Sequence, residues 1–142
     1  MARTVTPRSV TLTRDSLGVY TATNAAGATL QFGSGEGILS PVELLLAAVA
    51  GCSSIDVDHM TSRRAEPESF EVTTTADYVH DDEEGNVLEN IKVLFDLAFP
   101  EGDAGDKARA RIASALKISH DKECTVSRTL EAPVPVELIE KV

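Results

Sequence analysis

The chain of 142 residues holds two thiols, Cys52 and Cys124, and few groups that could assist sulfur chemistry: Glu43, His59, His120 and the arginines Arg14, Arg63, Arg64 and Arg128. A cysteine attacks as its thiolate, so a working one needs a pKa lowered by N–H donors or a nearby cation. Each candidate also has a purely structural reading. Cysteine packs readily as a small hydrophobe, and Cys52 ends the apolar run Leu44-Leu45-Leu46-Ala47-Ala48-Val49-Ala50-Gly51. Cys124 follows the polar run His120-Asp121-Lys122-Glu123 and opens a further turn, where local N–H groups favour a thiolate. Glu43 stands three residues after Ser40 and reads first as part of a helix cap, with acid–base work as the alternative. His59 and His120 read as helix-end or surface residues. A metal centre built from the cysteines and a histidine lacks Cys-x-x-Cys or His-x-x-x-His spacing, so no metal is expected.

These groups must be positioned by a central helix. Ser40 is a suitable N-cap, Pro41 suits the first helical position, and Glu43 completes a Ser-x-x-Glu capping box. From Val42 to Met60 the helix has almost no polar stripe before Asp56, Asp58 and His59. A helix apolar on every side is buried on every side, here by sheet or by a partner subunit. It is too short, and too soon followed by charges, to read as a membrane span.

Around it the order of elements is βββ-α-ββ-α-β, an α+β fold. Ser9 to Thr13, Val19 to Thr23 and Ala28 to Phe32 alternate in the period of half-buried strands and are joined by turn residues, which predicts an antiparallel meander. The loop Gly33 to Leu39 then delivers the chain to the helix. Its FGSGEG run lacks the Lys-Ser/Thr of a phosphate-binding loop, so no nucleotide cofactor is expected. Glu68 to Val79 and Asn90 to Phe99 predict two long strands around the acidic tip HDDEEGN. Asp106 to Lys122 predicts an amphipathic helix with Ala108, Ile112, Ala115, Leu116 and Ser119 on one face, and Thr125 to Glu131 a further helical turn. Val134 to Ile139 reads as a last strand.

The length suits one domain, residues 1–142, with its own core. Thirteen Lys and Arg against 23 Asp and Glu give a net charge of −10, which repels phosphate backbones and anionic membranes, so neither nucleic acid nor membrane is expected as a partner. Two cysteines and no secretory h-region predict a cytoplasmic protein, in which a disulfide is more often catalytic or redox-sensing than structural.

Ser40-Pro41-x-Glu43-Leu44, Ala50-Gly51-Cys52-Ser53, Ile55-Asp56-Val57 and His120-x-x-x-Cys124-x-Val126-Ser127 together resemble the OsmC/Ohr family, closest to its branch of uncharacterised OsmC-like proteins with a Ser-Pro-x-Glu helix start. The resemblance implies an intertwined homodimer and a thiol-dependent peroxidase that reduces organic hydroperoxides at the expense of a dithiol reductant. Carried over, Cys52 is peroxidatic and Cys124 resolving. Active members of the family add an arginine from the loop before the helix and a glutamate directly after the helix-start proline. Here Val42 holds that glutamate position, Glu43 lies one residue on, and no arginine occurs between Asp15 and Met60. Arg14, Arg63, Arg64 or Arg128 would have to substitute. Three function classes follow: a hydroperoxide reductase weakened by these departures, a non-enzymatic dimer binding a small apolar ligand, and a protein with other redox or sulfur-carrier chemistry.

Overall fold

A computed structural model describes residues 2–141 of the chain. They form two compact units, one ending at Leu45 and the other beginning at Leu46. In the first unit β1 (Val10–Ser16), β2 (Val19–Asn24) and β3 (Thr29–Gly33) make the expected antiparallel meander in the order β1-β2-β3. Its second turn is closed by Asn24, whose Oδ1 accepts the N–H groups of Ala26 and Ala28 at 3.0 and 2.9 Å. Gly33 is required where it stands: its φ is +143°, and a Cβ there would lie 2.0 Å from the Gly18 carbonyl oxygen. The capping box forms as read, the Glu43 N–H donating to Ser40 Oγ at 3.1 Å and the Ser40 N–H to Glu43 Oε1 at 3.0 Å. It opens α1 (Pro41–Ser62), which continues into the second unit.

In the second unit β4 (Ser69–Asp81) and β5 (Gly85–Ala98) pair antiparallel from Ser69–Ala98 to Asp81–Gly85. The hairpin tip is tighter than the acidic run suggests. Asp81 Oδ1 accepts the N–H groups of Glu83 and Glu84, so the chain turns at once and β5 starts at Gly85 rather than near Asn90. Phe70, Val72, Thr74 and Ala76 are half-buried between exposed neighbours, the alternation of a sheet covered on one face.

After the hairpin comes α2 (Asp103–Ile118), with Ala108 and Ala115 fully buried and Ile112 and Leu116 half-buried, the face that the sequence predicts. Gly105 lets this helix approach the preceding loop, since a Cβ there would sit 1.6 Å from the Pro100 carbonyl oxygen. The helix does not run straight to Lys122. It opens into a π-helical turn (Ser119–Glu123) in which the Cys124 N–H donates to the Ser119 carbonyl at 2.7 Å, and α3 (Thr125–Glu131) follows.

One expectation is corrected. The last strand over Val134 to Ile139 does not form. Among the described residues no strand follows α3, and Val136, Leu138 and Ile139 are 84%, 96% and 82% exposed. Alternation signals strand propensity, but a strand exists only where a neighbour takes up its N–H and C=O groups. The order is therefore βββ-α-ββ-α-α, still α+β. Within one chain α1 is covered only in part. Val49, Val57 and Thr61 are its buried residues, spaced along one stripe with the half-buried Ser53, while Ile55 is 62% exposed. Among the described residues no helix is long and apolar enough to cross a membrane.

Candidate thiol site

The second unit brings Cys52 and Cys124 together. Cys52 sits on α1 with Ser53 beside it in sequence, and Cys124 occupies the extended residue between the π-helical turn and α3, with φ −75° and ψ 95°. Both thiols are free, Cys52 half-buried and Cys124 fully buried. The two thiols lie close enough for each to shift the other's ionisation. Ser53 Oγ donates to Cys124 Sγ at 3.3 Å, and Ser127 Oγ, one turn along α3, lies 3.2 Å from the same sulfur.

The π-helical turn explains how Cys124 comes to face α1. Ser119 is 1% exposed, and its Oγ donates to Asp56 Oδ2 on α1 at 2.8 Å, tying the end of α2 to that helix. The extra residue accommodated by the wide turn then moves the chain sideways into an extended residue before α3 begins. Arg128 closes the first turn of α3 by donating its N–H to the Cys124 carbonyl at 3.0 Å.

The two sulfurs differ electrostatically. Burial pushes the Cys52 thiol up, as does its contact with Cys124, and the N–H groups of Val126 and Thr125 offset this only in part. Burial acts on Cys124 in the same direction. There it is outweighed by the Ser127 hydroxyl, the Ser53 hydroxyl, the Ser127 N–H and the Cys52 thiol, which leave Cys124 below the ordinary cysteine value.

Beside this pair lies a cavity of about 350 Å³. Its walls are Val49 and Ser53 from α1, Ile91, Val93 and Phe95 from β5, Leu116 from α2, and Ser127 and Leu130 from α3, with Ser119, His120 and Glu131 completing the lining. The two serines that touch the Cys124 sulfur therefore also face an apolar space of the size that small ligands occupy. No arginine is among the lining residues described. His120 is the exposed helix-end residue that the sequence predicts, and it is paired. Its Nε2 meets Glu131 Oε1 at 2.8 Å and its Nδ1 meets Asp121 Oδ1 at 3.3 Å, and these carboxylates, Glu131 foremost, raise its pKa. With both ring nitrogens engaged by carboxylates, His120 is not a free general base.

The other candidates are placed as follows. Glu43 is spent in the capping box, where the Ser40 N–H and then the Ser40 side chain lower its pKa. Arg128 lies on α3 and donates to the Asp121 carbonyl, lining a small polar recess with His120 and Glu131. Arg64 lines a shallow recess with Lys107 and Arg111. Sequence reasoning missed Ser53, Ser127, Ser119 and Asp56 as members of the site. Ser53 and Ser127 stood inside the cysteine motifs all along, but spacing alone did not show that both hydroxyls reach one sulfur. Among the described residues no group of three or more His, Cys, Asp or Glu side chains is placed to hold a metal ion.

The chain is α+β, with two free thiols in one unit joined through the Ser53 hydroxyl. Residues 33–139 match the family model for OsmC-like protein, and the chain belongs to that family. No curated protein sequence matches it. Among solved structures it resembles a hypothetical protein from Aquifex aeolicus VF5, at 22% identity over 89% of each chain with a TM-score of 0.68. It also resembles an OsmC-like protein of unknown function from Vibrio cholerae, at 12% identity over 89% of this chain and 95% of that one, TM-score 0.71. The organic hydroperoxide resistance protein OhrB of Bacillus subtilis aligns over 90% of this chain and 93% of its own, at 17% identity and a TM-score of 0.53. At these identities the likeness is one of fold.

Proposed function

We propose that this protein reduces organic hydroperoxides through Cys52 and Cys124, with a dithiol as the final electron donor and a homodimer as the working form. The observation that carries this reading is the pair of free thiols linked through Ser53, the neighbour of Cys52, beside an apolar cavity. One sulfur attacks the peroxide and becomes a sulfenic acid, the other displaces water from it to give a disulfide, and a dithiol restores both. The family's order gives the attack to Cys52 and the resolution to Cys124. Walls of Val49, Ile91, Val93, Phe95 and Leu116 favour a bulky alkyl or aryl hydroperoxide over hydrogen peroxide. Turnover is slow, because Val42 replaces the family's glutamate and no lining arginine stabilises the departing oxygen, a contribution commonly worth about a hundredfold.

The test is consumption of cumene hydroperoxide and hydrogen peroxide with dithiothreitol, comparing wild type with Cys52→Ser and Cys124→Ser. Slow turnover that prefers cumene hydroperoxide and is lost in both variants is expected, together with a Cys52–Cys124 disulfide in peptide maps of the oxidised wild type. Wild-type consumption no faster than either variant rejects the reading. In that case the cavity supports the binding of a small apolar ligand without turnover.

A further inference from the structure

Resting on the dithiol reading above, we propose that Ser119 and Asp56 are positioning residues for disulfide closure: their hydrogen bond seats the Cys124 backbone against α1, so that Cys124 captures the oxidised Cys52 before a second hydroperoxide does. Ser119 carries two links at once. Its Oγ donates to Asp56 Oδ2 at 2.8 Å, and its carbonyl accepts the Cys124 N–H at 2.7 Å. Asp56 lies one turn beyond Cys52 on α1, about 6 Å along the axis and on nearly the same face. A single residue, 1% exposed, therefore ties the backbone of one thiol to the helix that bears the other.

The bond from Cys124 back to Ser119 spans five residues, the pairing of a π-helical turn. In an α-helical continuation of α2 the same N–H would pair with the His120 carbonyl, and Cys124 would turn by about 100° around the helix. Such wide turns are rare, and this one is held from outside by Asp56. Ser53, three residues before Asp56, adds a second hold from the same face of α1 by donating to Cys124 Sγ at 3.3 Å. Cys124 is fully buried, so it cannot swing far to find Cys52, and its backbone must already be in place.

The Cys52 thiolate attacks the terminal peroxide oxygen, an S–O bond forms as the O–O bond breaks, and the alkoxide takes a proton from solvent and leaves as the alcohol. Sulfur is oxidised to the sulfenic acid and the hydroperoxide is reduced. That sulfenic acid then has two fates. Cys124 can attack its sulfur, forming S–S while the hydroxyl leaves with the thiol proton as water. Alternatively the sulfenic sulfur attacks a second hydroperoxide, a second S–O bond forms as O–O breaks, a second alcohol leaves, and Cys52 ends as the sulfinic acid. The first fate is intramolecular and its rate follows the alignment of the two sulfurs, which Ser119 and Asp56 set; the second needs nothing from Cys124.

Two ratios measured on the full chain test this, with circular dichroism confirming that each variant is folded. One is the ratio of Cys52–Cys124 disulfide to free thiols at equilibrium with oxidised and reduced dithiothreitol. The other is the ratio of disulfide to Cys52 sulfinic acid after excess cumene hydroperoxide, read by mass spectrometry. Ser119→Ala and Asp56→Ala are each expected to lower both ratios about tenfold, while Asp56→Asn, which keeps an acceptor oxygen for Ser119, restores them to within about twofold of wild type. If Ser119→Ala does not fold, Asp56→Ala breaks the same bond from its half-buried side and carries the test. Unchanged ratios in the alanine variants, or an Asp56→Asn variant that behaves like Asp56→Ala, overturn the inference and leave hydroperoxide reduction intact. A wild type that consumes no hydroperoxide overturns the functional reading instead, and the dithiothreitol equilibrium still decides whether Ser119 and Asp56 place Cys124 against Cys52.

Discussion

Two serine hydroxyls meet the sulfur of Cys124, and a histidine at the cavity rim shows the effect of environment on a side chain. His120 is held more basic than the ordinary 6.5, first by its hydrogen bond to Glu131 and then by Asp121. A raised folded pKa gives a stability contribution that is complete below the unfolded value and disappears as pH rises through the folded one. Glu131→Gln is therefore expected to lower the His120 pKa, seen in the imidazole NMR titration, and to destabilise the protein more at about pH 6 than at about pH 8. Because both side chains are exposed the difference is small, within the range of surface pairs. Equal destabilisation at the two pH values would show that the ion pair does not contribute.

At the scale of elements, the site depends on how α2 ends and how closely its start is packed. Gly105→Ala forces a Cβ to within 1.6 Å of the Pro100 carbonyl oxygen, a backbone group that cannot rotate away. Urea unfolding should show a loss of about 1–3 kcal/mol or more. A midpoint unchanged from wild type would mean that the loop before α2 yields freely. The capping box at the start of α1 is a milder case: Ser40→Ala leaves the Glu43 N–H without its side-chain acceptor and is expected to cost about 1 kcal/mol in the same measurement. A null result there would mean that solvent replaces the hydroxyl without loss.

For the whole molecule the outstanding fact is apolar surface. Ile55 on α1 is 62% exposed, and Leu94, Tyr78 and Val87 on the hairpin are 68%, 60% and 52% exposed. A run of apolar residues such as α1 is stable in water only when covered, and an isologous partner is the commonest cover. Light scattering at micromolar concentration should give twice the chain mass, and Ile55→Glu should shift it toward one. A folded monomer at that concentration would reject the dimer.

Much of this protein was readable from order and spacing alone. The capping box and the small-residue face of α2 are local patterns, decided by hydrogen bonds within four residues and by helical periodicity. The meander and the hairpin were announced by alternation and turn residues, which set register over short separations. The strand read over Val134 to Ile139 failed because alternation describes a propensity and pairing needs a neighbour, which only the folded chain can supply or withhold. The two cysteines were visible as chemistry, and the turn after Cys124 already marked it as the more acidic, but the hydroxyls at its sulfur were not legible. They sit next to Cys52 in one case and three residues after Cys124 in the other, and the first reaches the sulfur only through packing between segments about seventy residues apart.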